Sequence, residues 1–247
     1  MTEDNPAWYQ TWFDTPYYHI LYQDRDTAEA TLFLQNLIAY LKLEQQQSIL
    51  DVACGKGRHA IYLASQGFKV TGTDLSPNSI SFAQEEANSK GLDAKFYVHD
   101  MRTPVHEQAA VVLNLFTSIG YFEDRNDNQK AIQAFYDSTK AGGYVVIDFL
   151  HAPSVKQGLV ADEVVTKGGI EFTLKRSFEN DWIKKEISFS DHAVSYAFQE
   201  RVAALGLADF KQMLEAIGFS VQDVFGDYYL NPFVAETAER LILVARK

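Results

Sequence analysis

Ser48-Ile-Leu-Asp-Val-Ala-Cys-Gly-Lys-Gly-Arg-His-Ala60 is the stretch that most restricts how this chain can fold. Ile49, Leu50, Val52 and Ala53 form a short apolar run suited to a parallel strand covered on both faces. Gly55 and Gly57 follow, and without a Cβ they permit a tight turn and a close backbone approach to a ligand. From Arg58 to Gln66 the apolar spacing is helical, through Ala60, Ile61, Leu63 and Ala64, with Gly67 placed to end the helix. A second strand, Phe68 to Thr73, then delivers Asp74 roughly twenty residues past the glycines. A carboxylate there accepts both hydroxyls of a ribose, so the two strand ends predict a nucleoside site.

Strand and helix keep alternating. Ser76 and Pro77 are an N-cap and first-turn pair for a helix using Ile80, Phe82 and Ala83 and stopping before Gly91. Ala94 to Val98 is a third strand, running into His99-Asp100-Met101-Arg102. Ala109 to Phe116 is a fourth, and Asn126 or Asp127 caps the next helix. That helix ends at Ala141-Gly142-Gly143, and Tyr144 to Leu150 is a fifth strand. Five such alternations predict a parallel, doubly wound α/β sheet. Residues 161–202 then switch to period two, with turn pairs at Gly168-Gly169, Asn180-Asp181 and Asp191-His192, which predicts an inserted antiparallel sheet of three or four strands. A helix over Ala208 to Ala216 and strands over Phe219 to Tyr229 and Leu241 to Ala245 close the chain. The last two pair antiparallel at the sheet edge, giving seven strands in the main sheet.

Ahead of the first strand, Thr27 to Leu43 has helical spacing, and residues 7–22 are crowded with Trp8, Tyr9, Trp12, Phe13, Tyr17, Tyr18 and Tyr22. Pro16 interrupts any continuous helix there. Two roles suit this segment: a helix stapling its rings onto the main domain, or a lid with phenol hydroxyls and His19 turned to the ligand.

The length of 247 residues suits one embellished domain or one domain with a small appended unit. No apolar run reaches the ~18 residues that span a bilayer, and the acidic, polar Met1-Thr-Glu-Asp-Asn-Pro start is unlike a secretory signal. A single cysteine, Cys54, excludes an internal disulfide and a cysteine-based zinc site. Cytoplasmic residence is the expectation. A formal charge of −11 argues against a nucleic-acid partner. The densest basic cluster, Lys175-Arg176 with Lys184-Lys185, falls among Glu171, Glu179 and Glu186 and reads as a mixed solvated face.

Gly55-Lys-Gly-Arg-His-Ala60 satisfies a dinucleotide fingerprint, which alone says little. Three features point elsewhere. Asp51 lies in the strand before the glycines, where a carboxylate repels a pyrophosphate but suits an ammonium. Asp100 ends the third strand, in place to accept from an adenine amino group. The sheet also ends in an antiparallel pair rather than a second mononucleotide-binding half. In these residues the chain resembles class I S-adenosylmethionine-dependent methyltransferases. Asp51-Val-Ala-Cys-Gly-Lys-Gly57 is similar to the family's first motif, including Ala53; Asp74-Leu75 to its ribose-binding acid; and Asp100-Met101 to its adenine-side motif. Asn114 to Tyr121 falls where the fourth motif lies, beside the methionine arm and the acceptor. The resemblance is strongest over residues 45–150.

It implies a Rossmann-like methyltransferase domain over 45–150 and 203–247, an inserted β-sheet over 151–202, and an N-terminal aromatic lid and helix over 1–44. The insertion and the Tyr17-Tyr18-His-Ile-Leu-Tyr22 segment are similar to those of bacterial small-molecule methyltransferases, where such a segment closes on the cofactor; this brings in Tyr18. The implied cofactor is S-adenosyl-L-methionine, with no metal, and the implied partner is a small-molecule N, O or C acceptor of a monomer or homodimer. Arg58 is placed to pair with the cofactor carboxylate or to cap the turn, and Arg25 to meet the carboxylate from the lid side. Two alternatives remain: an NAD-dependent oxidoreductase, and a non-catalytic cofactor-binding module that contacts a protein.

A sulfonium already activates its methyl group, so alignment and exclusion of water suffice for transfer. No catalytic triad is evident. His19, Tyr121 and His151 are the candidate bases or orienting groups. Cys54, inside the turn, suits a small packing role, and His99, His106 and His192 have no metal-ligand spacing.

Overall fold

The computed structural model describes residues 7–24 and 27–247. Arg25 lies outside the described residues. In chain order the elements are α1 (Trp8–Trp12), α2 (Pro16–Leu21), α3 (Thr27–Leu41), β1 (Ser48–Val52), α4 (Arg58–Ser65), β2 (Lys69–Asp74), α5 (Pro77–Ser89), β3 (Ala94–Val98), β4 (Ala109–Asn114), α6 (Asn126–Ser138) and β5 (Thr139–Leu150). They continue as α7 (Ala152–Gln157), β6 (Asp162–Lys167), β7 (Ile170–Glu179), β8 (Trp182–Asp191), β9 (Val194–Ala203), α8 (Leu207–Ile217), β10 (Ser220–Phe225) and β11 (Arg240–Arg246).

Seven strands form one sheet in the order β10-β11-β5-β4-β1-β2-β3. β1 to β5 are parallel, whereas β11 runs antiparallel to β5 and β10 to β11. The other four, β6 to β9, form a separate antiparallel meander. This is the doubly wound α/β sheet with an antiparallel insertion after the fifth strand that the periodicities predict. No second mononucleotide-binding half follows β5; the chain returns to the main sheet in β10 and β11. Among the described residues, no helix is long and apolar enough to cross a membrane.

The strand pleat explains the layering. Ile49, Val111 and Leu113 face a core shared with Phe33, Leu34 and Leu37 of α3, Ala60 and Leu63 of α4, and Ile80 and Ala83 of α5. Leu50, Val52 and Val112 face the opposite core, with Ala131, Ile132 and Phe135 of α6 and Phe210 and Leu214 of α8. Alternate residues of one strand thus supply two cores. Each fully buried Leu, Ile or Val contributes roughly 1.5–3 kcal/mol relative to exposure.

Several boundaries differ from the sequence-based expectation. β4 ends at Asn114, because Phe116 and Thr117 take left-handed φ values of 64° and 62°. The N-cap position of α6 is Arg125, not Asn126 or Asp127, and it makes no side-chain cap; the preceding turn is held by Asp124, whose Oδ1 accepts the Asn126 amide at 2.9 Å and whose carbonyl accepts the Asp127 amide. β5 starts at Thr139, since Thr139 pairs with Ala109 and a register shift absorbs the two glycines. β10 stops at Phe225. Lys185 is not on a solvated face: its Nζ donates to the Tyr22 hydroxyl at 2.6 Å and lies 4.0 Å from the Glu200 carboxylate.

The N-terminal aromatic residues pack chiefly on the inserted sheet. Trp12 is fully buried, its ring 4.7 Å from Phe198, and Tyr17 lies 4.6 Å from Phe189. Glu200 on β9 accepts from Trp12 Nε1 at 2.8 Å and from the Tyr22 hydroxyl at 2.7 Å. α1 and α2 therefore lie against β7 to β9, between the insertion and the ends of the parallel strands.

Candidate active site

A cavity of about 440 Å³ opens at the carboxyl ends of β1 to β4, beneath α1 and α2. This is where open α/β sheets bind ligands. Its floor is the turn after β1. Ala53, Gly55 and Gly57 all have positive φ (59°, 54° and 78°), and Gly57 starts α4. The two glycines do different jobs. A Cβ on Gly55 would meet nothing within 4 Å, so that glycine keeps open space at the cavity wall. A Cβ on Gly57 would sit 2.9 Å from both Ala83 Cβ and the Phe96 ring, so Gly57 serves close packing of α4 against its neighbours and does not line the cavity.

Asp74, at the end of β2, lines the cavity and holds the turn. Its Oδ2 accepts the Gly55 amide at 2.8 Å and its Oδ1 the Ser76 amide at 2.9 Å. Burial raises its pKa, against the pull of those amides. Leu75 lies beside it on the wall. Asp14, from the N-terminal segment, reaches the same place: its carboxylate accepts from the Ser76 hydroxyl and from the Asn78 amide at 3.2 Å.

Asp51 lies behind the turn, 1% exposed, and its Oδ2 has no hydrogen-bond partner. Burial pushes its carboxyl up to about 7; Asp74 adds to the rise and Arg58 opposes it. Asn114 is likewise buried behind the wall. Its Nδ2 donates to the Val52 carbonyl at 3.2 Å, while its Oδ1 has no partner. Arg58 lines the cavity, with its guanidinium 4.4 Å from the centroid of the Phe116 ring.

Asp100 and Met101 form the wall beyond β3. Asp100 is gripped by Arg102, through Nε at 3.0 Å, Nη2 at 2.6 Å and the backbone amide at 2.9 Å. Burial works against its charge, yet the Arg102 contacts outweigh it and hold the carboxyl below its ordinary range. Above, Tyr18, His19 and Tyr121 all line the cavity. His19 Nε2 lies 3.4 Å from Ser79 Oγ, and the Tyr121 hydroxyl donates to the Thr117 carbonyl. The rings of Phe13 and Tyr18, and of Phe13 and Tyr121, meet at 4.9 and 5.2 Å.

His151 is the candidate that the fold removes. It is buried outside the cavity, with Nδ1 2.9 Å from the Ala238 carbonyl and its ring 5.3 Å from Phe233. The antiparallel pairing of β5 with β11 brings the chain just before β11 over it, so His151 is a core donor. Cys54 is buried, and burial raises its thiol pKa, in keeping with packing. Among the described residues, no group of three His, Cys, Asp or Glu is placed to hold a metal ion.

Sequence reasoning missed Lys56 and His59, both on the cavity wall within the glycine run itself. Burial lowers the Lys56 pKa. It also missed Gln10, Asp14 and Phe116. The spacing of the glycine run marked Lys56 and His59; no local signal marks the left-handed Phe116 or the long-range reach of Asp14.

Residues 49–143 match the family described as a methyltransferase domain. The chain is an S-adenosylmethionine-dependent methyltransferase. This methyltransferase is 26% identical over 230 residues to glycine/sarcosine N-methyltransferase of Parasynechococcus marenigrum (strain WH8102), covering 87% of this chain and 78% of the relative. Its fold is that of a S-adenosylmethionine-dependent methyltransferase from Clostridium acetobutylicum ATCC 824, with a TM-score of 0.80, 22% identity and coverage of 93% of this chain and 95% of the other. The sugar N-methyltransferase KedS8 from Streptoalloteichus sp. ATCC 53650 also superposes, with a TM-score of 0.72, 20% identity and coverage of 93% and 92%.

Its cofactor is S-adenosyl-L-methionine. The residues present fit that group. Asp51 and Asn114 each hold a buried oxygen without a hydrogen-bond partner beside the β1 turn, and buried polar atoms of this kind ordinarily find a partner. Gly55 leaves room where a Cβ would stand. Arg58, Asp74 and Asp100 line the same cavity.

Proposed function

We propose that this methyltransferase moves the methyl group of S-adenosylmethionine to an amine nitrogen of a small-molecule acceptor. S-adenosylmethionine supplies a methyl group already activated on a sulfonium. The nitrogen lone pair forms the new bond to that carbon as the carbon–sulfur pair leaves with sulfur, and the positive charge passes to nitrogen. The protein's part is to align, to exclude water and to accommodate that charge.

Asp74 would accept the ribose hydroxyls through the lone pairs left over by the Gly55 and Ser76 amides. Asp100, held by Arg102, would face the adenine together with Leu75 and Met101. Asp51, Ala53 and the Asn114 oxygen would sit at the ammonium end of the methionine arm, and Arg58 would meet its carboxylate. Tyr18 closes the roof. His19 and Tyr121 remain as groups to orient the acceptor or take its proton.

The observation that carries the amine reading is the wall formed by Phe13, Tyr18 and Tyr121, three contiguous rings lining the cavity. Aromatic faces stabilise a cationic nitrogen by about 0.5–2 kcal/mol, which favours an ammonium product over a neutral ether or ester. The relatives named above as acting on glycine/sarcosine and on a sugar nitrogen agree with it.

Calorimetry with S-adenosylhomocysteine, followed by a methyl-transfer assay on matched small amines, alcohols and carboxylic acids, tests the reading. Micromolar binding and transfer to amines alone are expected. Transfer confined to the alcohols or acids would reject the amine acceptor, and absence of binding would reject the site.

A further inference from the structure

Phe116 and Thr117 are consecutive non-glycine residues with left-handed backbones, at φ 64° and 62°. Such a pair persists only where its surroundings over-determine it. Here one residue of β5 holds both: the Phe116 amide donates to Asp148 Oδ2 at 2.9 Å, and the Thr117 amide to the Asp148 carbonyl at 2.9 Å. Asp148 is itself 1% exposed and is tied to Arg240 of β11, whose Nε donates to Oδ1 at 2.8 Å. Arg240 Nη2 also donates to Thr117 Oγ1 at 3.1 Å, and the Tyr228 hydroxyl donates to Asp148 Oδ2 at 3.1 Å. Tyr228 is in turn anchored on α3, with its ring 4.8 Å from Phe33 and its carbonyl accepting from Asn36 Nδ2 at 2.9 Å.

The Phe116 ring that this network presents lies in the cavity wall. Two guanidiniums lie over it, Arg58 at 4.4 Å and Arg240 at 5.7 Å from the ring centroid. Arg240 is matched by the Asp148 carboxylate. Arg58 lines the cavity, where a π face fixes the plane of a guanidinium whose N–H fork recognises a carboxylate.

We propose that Phe116, locked in its left-handed turn by Asp148 and Arg240, is a positioning residue that sets the Arg58 guanidinium for the cofactor's carboxylate. This rests on the reading of Arg58 given under the proposed function. It makes the ends of β5 and β11, which lie outside the glycine turn, determinants of cofactor affinity.

Two ligands separate positioning from a general loss of structure: S-adenosylhomocysteine, which has the amino-acid arm, and 5′-methylthioadenosine, which lacks it. By calorimetry, Phe116→Leu should weaken S-adenosylhomocysteine by about tenfold and leave methylthioadenosine unchanged. Arg58→Ala should weaken the first ligand more strongly, and Phe116→Leu should add little on top of it, because both changes remove one interaction. Thr117→Val, which deletes the hydroxyl gripped by Arg240 while keeping its shape, should act in the same direction as Phe116→Leu and more weakly. Equal losses on both ligands, or additive effects of Phe116→Leu and Arg58→Ala, would overturn the proposal. A Thr117→Val protein that melts earlier yet binds both ligands as the parent does would remove Asp148 and Arg240 from it. If Arg58→Ala itself leaves S-adenosylhomocysteine affinity unchanged, the carboxylate assignment fails first, and this inference falls with it.

Discussion

The Asp74 carboxylate accepts the Gly55 amide at 2.8 Å, so the end of β2 holds the turn that follows β1. The same carboxylate lines the cavity. One side chain thus shapes the turn and faces the cavity. Asp74→Ala leaves the Gly55 and Ser76 amides without their acceptor, at a cost of about 1–3 kcal/mol for each one kept from water. Both the unfolding free energy in urea and the affinity for S-adenosylhomocysteine should drop, the latter by about a hundredfold. An unchanged affinity would mean that the ribose is held elsewhere.

Asp51 gives the site a pH dependence. Burial raises its carboxyl to about 7 from 3.8, so the folded, ligand-free protein holds a proton that the unfolded chain has already lost. The contribution of this group to stability therefore falls as pH rises from about 4 to 7, and is flat above. An ammonium needs the ionised form. S-adenosylhomocysteine affinity should accordingly rise by up to about tenfold per pH unit below 7 and level off above it, with proton release on binding at about pH 6. Calorimetry in buffers of different ionisation enthalpy reads that proton. Methylthioadenosine, with no ammonium, should show no such slope.

Gly57 and Gly55 should respond unequally to alanine. Both have positive φ, which costs a residue with a Cβ about 1–2 kcal/mol. Gly57→Ala also drives a methyl to 2.9 Å from Ala83 and Phe96, adding about 1–3 kcal/mol of overpacking. Thermal unfolding should rank Gly57→Ala well below Gly55→Ala. Equal melting temperatures would contradict this account of the turn.

His19 and His151 should separate in an activity assay. His19 lines the cavity, whereas His151 is spent on the Ala238 carbonyl. His19→Ala should lower the rate of transfer by about a hundredfold if it takes the proton. His151→Ala empties a buried ring site beside Phe233 as well as removing a hydrogen bond, so it should cost about 2–5 kcal/mol of stability, with kcat close to the parent's in the protein that remains folded. The reverse ranking would return His151 to the reaction.

Glu200 ties the aromatic segment to the insertion. Glu200→Ala strips the fully buried Trp12 of its indole acceptor and releases the Tyr22 hydroxyl, which should cost about 1–3 kcal/mol. A red-shifted tryptophan emission and faster proteolysis before β1 should accompany it. Unaltered emission and proteolysis would show that the segment is held by ring packing alone.

The sheet was legible because each parallel strand announces itself by a local apolar run and each helix by its spacing and cap. Ser76 with Pro77 at the start of α5 is such a mark. The insertion was legible through its period of two. Boundaries failed where the chain left regular geometry for tertiary reasons. β4 stops short because Asp148 holds Phe116 and Thr117 in left-handed conformations, and nothing in Leu115-Phe116-Thr117 signals that. Lys185 looked solvent-facing because its strand alternates, but Tyr22 and Glu200 cover it.

By itself, the sequence determined the strand-turn-helix at Ser48–Ala60 and the placing of Asp51, Asp74 and Asp100 at strand ends. Periodicity and glycine position act over a few residues, so covalent order alone carries them. Tertiary structure alone decided which other side chains meet those acids. Trp12 and Glu200, 188 residues apart, dock the aromatic segment as a roof; β11 beside β5 takes His151 out of the site and brings Arg240 to the Phe116 turn. Such contacts depend on pairings between distant strands, and no local run of residues encodes a pairing.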